Sequence, residues 1–393
     1  MKIILQGLFK YHVIPIVISV AVVFFLDWAI VKVEKNATFK TEILSGTAVS
    51  DRGLIPNCSE KNGEIELIGS LQNPNKLSVF GSSELQETNY AAYIFLPDSL
   101  GLRTTAFGHA YHQNLSIACE LLAAGEHLNG ANVCIILSPG WFEGEGTNIE
   151  AFLEFVRPNF LKRIIHDKTI PKEEKLRIAN FVSDHYSDVN NPSKELTYLR
   201  NMSVQEKYGC LPQGFLMYAK NHIPNIEYKV VSNIKKKQPL NPFFNWVKAK
   251  KRIQGEILKS FGNNSIYVDS AYFTQYLLRD GKYVGDKMEE INPVNEFEDF
   301  KMVVDILKRH HCKATFIIQP LNPYHFADLH QFNATKVKIK SELAKAKFPV
   351  LDLYVTSKKE YTPGILKDVM HPSDFGWMEI NEFLVKQYPN LHE

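Results

Sequence analysis

The chain has 393 residues, 45% apolar and 12% aromatic, which is ample for a sizeable core in one large or two modest domains. That content excludes intrinsic disorder over most of the length. Lys and Arg number 45 against 43 Asp and Glu, so overall charge makes no case for a nucleic-acid partner.

The first element is an apolar run, Val13 to Val31, interrupted by one charge, Asp27. Its length suits a bilayer span. It continues into Trp28 and then Lys32, Glu34 and Lys35, with no small-residue cleavage site, so it reads as an uncleaved anchor in preference to a signal peptide. Lysines flank it on both sides, at Lys2 and Lys10 and at Lys32, Lys35 and Lys40, and the positive-inside count does not orient it. Residues 1–12 form a short N-terminus. Residues 32–76, punctuated by Gly46, Gly53, Pro56, Gly63, Gly69 and Pro74, read as a stalk and entry segment of irregular or short-strand structure.

From Leu77 the pattern changes. Leu77 to Gly81, Thr104 to Gly108 and Asn132 to Ser138 are short apolar or β-rich runs separated by stretches of helical length. This βαβα rhythm predicts a parallel sheet covered on both faces. Between about 150 and 308 the pattern is dominantly helical, which predicts a cap or side lobe inserted into the sheet domain. Strand signals return at Ala314 to Gln319 and Phe348 to Leu353. The expected fold is therefore α/β, with a central parallel sheet of about five strands, a large helical insertion, and a folded domain over 77–393.

The five cysteines, Cys58, Cys119, Cys134, Cys210 and Cys312, contain no C-x-x-C, which excludes the common zinc-ribbon and thioredoxin patterns. Cys134 lies in a strand-like run and reads as core. Cys58 and Cys210 stand in polar contexts and could pair if the body lies outside the cytoplasm.

Two segments carry the candidate chemistry. Leu77 to Leu85 places Ser83 in the turn after an apolar strand, where backbone N–H groups opening a helix can hold an anion. Asp368-Val369-Met370-His371 follows the last strand signal. A serine hydroxyl is a poor nucleophile unless a base takes its proton and a third group orients that base. His371 and Asp368 are the residue types for those roles, although a Gly-Ser-Ser turn most often only caps a helix. The G-x-S-x-G elbow is absent, which argues against the usual α/β-hydrolase arrangement. Glu84 reads as a first-turn acid. His109 and His112 show i, i+3 spacing without a visible third ligand, so no metal is expected there. His310-His311-Cys312 reads as structural. Lys235-Lys236-Lys237 and Lys248, Lys250, Lys251 and Arg252 surround Phe243, Phe244 and Trp246; this is either a solvated face or a surface for anionic lipid or a phosphate polymer.

Ser83 after a strand, Gly108 after the next, and a terminal Asp-x-x-His resemble the SGNH, or GDSL-type, hydrolase superfamily. More closely, Phe80-Gly81-Ser82-Ser83-Glu84-Leu85, Phe107-Gly108-His109-Ala110-Tyr111-His112-Gln113, Leu137-Ser138-Pro139-Gly140-Trp141-Phe142 and Asp368-Val369-Met370-His371 with Gly376-Trp377 resemble the DltD family of D-alanyl transfer proteins. The resemblance covers nearly the whole chain. It implies a three-layer SGNH-like fold on one N-terminal transmembrane helix, with the N-terminus cytoplasmic and the body outside the cell membrane. It implies a part in D-alanylation of teichoic acids, with the polymer, an acyl carrier protein and a membrane-bound O-acyltransferase as partners, and no cofactor. It makes Ser83 the nucleophile, His371 the general base and Asp368 its orienter, with the Ser83 and Gly108 amides as oxyanion donors. Gln113, Gly140 and Trp141 fall at oxyanion or substrate-binding positions. The family pattern tends to carry glutamine where Gly140 stands, so the third donor could be the Gly140 amide or the side chain of Gln113 or Asn114. The same residues also suit an SGNH thioesterase or polysaccharide O-acyl esterase, and a non-catalytic scaffold is the alternative of another class.

Overall fold

A computed structural model describes residues 52–58, 61–85, 88–144, 146–208, 244–262, 264–291 and 293–392. The expected anchor at 13–31, Cys210, the Lys235-Lys236-Lys237 run and Phe243 lie outside the described residues. Among the described residues, no helix is long and apolar enough to cross a membrane.

Six parallel strands form the central sheet: β1 (Arg52–Ile55), β2 (Leu77–Phe80), β3 (Thr104–Phe107), β4 (Asn132–Leu137), β5 (Lys313–Ile318) and β6 (Val350–Asp352). Their spatial order is β1-β3-β2-β4-β5-β6. The expected sheet of about five strands thus gains one, and the folded body reaches back to Arg52, into the segment read as stalk. β1 pairs only with β3, in register from Arg52 opposite Thr104 to Ile55 opposite Phe107. An edge strand need bury little, which is why Arg-Gly-Leu-Ile gives a weak strand signal.

Strands β2, β3 and β4 are buried throughout, and successive side chains alternate between two cores. Phe80, Phe107, Val133, Ile135, Phe316 and Ile318 enter one core, whereas Val79, Ala106, Cys134, Ile136 and Ile317 enter the other. This period-two division is what a sheet covered on both faces requires. The first core is closed by α1 (Lys61–Leu71), α3 (Asn114–Ala124), α9 (Pro293–Arg309) and α10 (Asn333–Ala346), and the second by α2 (Ala92–Leu100) and α11 (Asp374–Gln387).

The described helices of the insertion join the two cores of the sheet domain. Helices α4 (Ile149–Phe155), α5 (Pro158–His166), α6 (Lys172–Asp184) and α7 (Lys194–Tyr208) extend the first core. Helix α8 (Trp246–Ser260) lies on the opposite face, where its Ile253 joins the second core beside α11. Much of the basic segment in α8 is neutralised within the fold: Lys250 pairs with Glu379 at 2.9 Å and Glu382 at 2.6 Å, and Arg252 with Glu256 at 3.0 Å. Phe244 and Trp246 pack on Phe95 with ring centroids 5.6 and 6.1 Å apart. Lys248 and Lys251 remain exposed.

The start of α11 fixes the loop that precedes it. Ser373 caps the helix, accepting from the Phe375 and Gly376 N–H groups at 3.1 Å each and donating to the Gly364 carbonyl. Helix and preceding loop approach so closely that a Cβ on Gly376 would lie 2.2 Å from the Ile365 carbonyl oxygen. Gly376→Ala is therefore expected to push α11 off this loop and to lower the unfolding free energy by about 1–3 kcal/mol. Urea denaturation measures the loss, and wild-type stability in the variant contradicts the packing argument.

Candidate functional site

In a parallel sheet all carboxyl ends lie along one edge, and a crevice opens where neighbouring strands send their connections to opposite faces. Here that point lies between β2 and β4: the chain leaves β2 towards β3 on one side, while β4 leads to β5 on the other. The turn leaving β2 carries Ser83 as the first residue of a single 3-10 turn, Ser83–Leu85. The loop 366–372 brings the other two candidate residues to the same edge.

Ser83 Oγ lies 3.0 Å from His371 Nε2, and His371 Nδ1 lies 2.8 Å from Asp368 Oδ2. A carboxylate only accepts, so Nδ1 holds the proton and Nε2 presents a lone pair to the serine hydroxyl. The other Asp368 oxygen accepts the Met370 N–H at 2.9 Å and the His371 N–H at 2.8 Å. The Asp-x-x-His spacing thus folds into a tight turn in which the aspartate holds both the backbone and the ring of the histidine. Burial raises the proton affinity of Asp368, but the hydrogen bond and charge of His371 and the two backbone N–H groups outweigh it, leaving the carboxyl below its ordinary range. Asp368 stays ionised.

The loop is pinned from three directions. Lys367 N–H donates to the His371 carbonyl at 3.0 Å and closes the turn on itself. Asn322, just past β5, donates its N–H to the Val369 carbonyl at 3.0 Å. Asp269, from the insertion, donates its N–H to the Lys367 carbonyl at 3.0 Å. A cavity of about 570 Å³ adjoins the loop, lined by His371, Asp368, Asp269 and Asp374 with Tyr272 and Tyr276.

The expected oxyanion donors fare unequally. The Ser83 N–H has no acceptor among the described residues, as suits the first residue of a helical turn. Gly108 does not supply its amide: that N–H donates to the Ile55 carbonyl of β1 at 3.0 Å, because the added edge strand continues the ladder past β3. Gly108 is instead required for close approach. Its φ is +116°, and a Cβ there would lie 2.2 Å from both the Gly81 carbonyl oxygen and His112 Nδ1. Asn114 is also unavailable, since its backbone and side-chain N–H groups donate to Glu296 Oε1 at 3.1 and 2.8 Å. Trp141, expected at a substrate position, is 5% exposed and packs in the first core. Gly140 is exposed, and its N–H has no acceptor among the described residues. Gln113 Nε2 makes one long bond, 3.5 Å, to the Trp141 carbonyl. Gly140 and Gln113 stand at the carboxyl ends of β4 and β3, the strands on either side of the one that carries Ser83.

Glu84 is a first-turn acid as read, and it is buried, with its Oε1 accepting the Ser82 N–H at 2.6 Å. His109 pairs with Glu154 at 3.2 Å and His112 with Glu120 at 3.2 Å, so neighbouring histidines face separate carboxylates. Glu120 is the lone charge in the mostly apolar run Leu115 to Ala124, a signal of a buried partner that spacing rules for metals do not capture. Cys58, read in a polar context, is a buried free thiol.

Fold and site together define a doubly wound α/β protein with a hydrogen-bonded serine–histidine–aspartate relay at its switch point. The family model described as DltD protein matches residues 61–388, and the chain belongs to the DltD family. It is 21% identical over 343 residues to Protein DltD of Bacillus subtilis (strain 168), a match covering 81% of this chain and 83% of that relative. Membership implies involvement in D-alanyl transfer, the D-alanylation of teichoic acids.

Burial pushes the Glu84 carboxyl up from 4.5 to about 7, against the opposing hydrogen bonds of the Ser82 and Glu84 N–H groups and the charges of His371 and His112. The folded state then binds this proton more tightly than the unfolded state, so its stabilising contribution is present below about pH 4.5 and is lost as pH rises through about 7. Glu84→Gln keeps an acceptor for the Ser82 N–H and cannot ionise. It is expected to flatten the decline of stability across that window and to exceed wild type above it by up to roughly 3 kcal/mol. Urea unfolding at about pH 5 and about pH 8 tests this; parallel behaviour of the two proteins contradicts it.

Proposed function

We propose that this chain is a serine-dependent acyl-transfer enzyme of teichoic-acid D-alanylation, with Ser83 as nucleophile, His371 as general base and Asp368 as the group that orients it. The observation that carries this reading is the continuous relay from Ser83 Oγ through His371 to Asp368, at 3.0 and 2.8 Å, in a partly open site. Family membership supplies the acyl group.

In the proposed reaction the Ser83 hydroxyl attacks the carbonyl carbon of a D-alanyl ester or thioester, and its proton passes to His371 Nε2. Asp368 stabilises the imidazolium without taking the proton. The oxyanion is received by the Ser83 N–H together with the Gly140 N–H or the Gln113 side chain, each donor being worth about 3 kcal/mol in the transition state. His371 returns the proton to the leaving group as the carbonyl re-forms, which leaves a D-alanyl ester on Ser83. A hydroxyl of the polymer then gives its proton to His371 and attacks this ester. Collapse transfers D-alanine to the polymer and restores the Ser83 hydroxyl.

The cavity beside His371 gives the reacting groups access to the base. Asp269, Asp368 and Asp374 line it together with Lys367, and the polymer presents its hydroxyl to His371 there. The acyl donor reaches the site from the acyl carrier protein through the membrane-bound O-acyltransferase, and the segment 13–31 tethers the body to the outer face of the membrane.

A fluorophosphonate probe is expected to label the wild type at Ser83 and not to label Ser83→Ala. Asp368→Asn, which keeps the shape but frees the histidine tautomer, should slow acylation by about 10³–10⁴-fold. Labelling of Ser83→Ala at the wild-type rate, or full cellular D-alanylation with that variant, refutes the nucleophile. Release of free D-alanine in place of polymer-linked D-alanine turns the assignment from transferase to hydrolase.

A further inference from the structure

Beneath the turn that carries Ser83 lie ionisable side chains that the proposed reaction leaves unused. His112 Nδ1 is 3.0 Å from the Gly81 carbonyl oxygen. A carbonyl accepts, so Nδ1 carries a proton. Nε2 faces Glu120 Oε2 at 3.2 Å, with both side chains 0% exposed, and, against the opposing effect of burial, the charge of that carboxylate raises the proton affinity of the ring. Phe155 covers the ring at 4.4 Å between centroids. On the other side of the same turn, Glu84 Oε1 accepts the Ser82 N–H at 2.6 Å. The carbonyl of Gly81 and the N–H of Ser82 are the two ends of a single peptide group. Both ends are held by buried, ionisable side chains, one residue before the nucleophile.

We propose that His112, backed by Glu120, is a positioning residue for acyl transfer: with Glu84 it clamps the Gly81–Ser82 peptide plane and so sets the direction of Ser83 Oγ and of the Ser83 N–H. This inference rests on Ser83 being the nucleophile. The absence of a side chain at Gly108 is what lets the His112 ring meet the Gly81 carbonyl, since a Cβ would intrude on both at 2.2 Å. A misplacement of about 1 Å at a reacting centre lowers rates by up to about 100-fold. Loss of the clamp therefore registers in the acylation rate, with ligand affinity unchanged.

The test compares donor with volume. His112→Phe keeps a ring against Phe155 but has no donor for Gly81, whereas His112→Asn leaves a cavity but places an amide N–H near the position of Nδ1. In the full chain, the saturating rate of fluorophosphonate labelling is expected to fall about 10- to 100-fold in His112→Phe. It should stay within about fivefold of wild type in His112→Asn, and the half-saturating probe concentration should change by less than about twofold in both. The reverse order, with the Phe variant faster than the Asn variant, means that His112 acts by packing alone and overturns the proposal. So does a wild-type rate in a folded His112→Phe protein. If His112→Phe does not fold, His112→Ala replaces it: a rate at least about tenfold below His112→Asn supports the clamp, and equal rates overturn it. An unlabelled wild type would instead remove the nucleophile on which the inference rests.

Discussion

Ser83 and His371 lie 288 residues apart in sequence, yet they share a hydrogen bond, and the parallel sheet is the constraint that makes this possible. Each crossover returns the chain to the amino edge, so every strand delivers its following loop to the carboxyl edge. The turn after β2, the loops after β3 and β4, Asn322 after β5 and the 366–372 turn beyond β6 therefore converge without special provision for any one of them. What the sheet does not provide is orientation within that edge. This comes from the Ser373 cap on α11 and from the Asp368 turn, which fix the imidazole before any ligand is present.

Charge is placed unusually close to the core around the nucleophile turn. Glu84, His112 and Glu120 are all buried, and an isolated ion at such depth is costly. Their arrangement offsets this. Glu84 Oε1 accepts the Ser82 N–H, His112 Nδ1 donates to the Gly81 carbonyl and its Nε2 faces Glu120 at 3.2 Å, so contacts that offset part of the desolvation cost also immobilise one peptide group. An apolar filling of the same volume could pack there, but it could not hold both a carbonyl and an N–H.

Much of the architecture is legible in the residues because strands buried on both faces are short apolar or β-branched runs with few charges, and β2 to β5 are. The Ser83 turn and Asp368-x-x-His371 are legible for a related reason: short polar motifs after apolar runs mark the carboxyl edge. The misreadings have physical causes. β1 is an edge strand with a single partner, and its mixed sequence is adequate for that place. Once β1 is present, its Ile55 carbonyl takes the Gly108 N–H, so a donor inferred from motif position is redirected by a strand that the motif does not contain. Trp141 follows a proline in a 3-10 turn that rotates its ring into the core. Lys250 of α8 faces glutamates on α11 that are more than a hundred positions away, a pairing that only the tertiary fold reveals.

The insertion belongs to the site as much as to the core. Its first helices extend one face of the sheet, and α8 crosses to the other face and packs beside α11, the helix whose cap immediately follows His371. Beyond α8 the chain supplies the Asp269 N–H that holds the Lys367 carbonyl, and Tyr272 and Tyr276 that wall the cavity at the base. Without this segment the 366–372 turn would keep its internal hydrogen bonds but lose an external anchor and one side of its cavity. Because transfer in place of hydrolysis requires that an acceptor hydroxyl outcompete water, the element that shapes access to His371 is the one on which that choice physically depends.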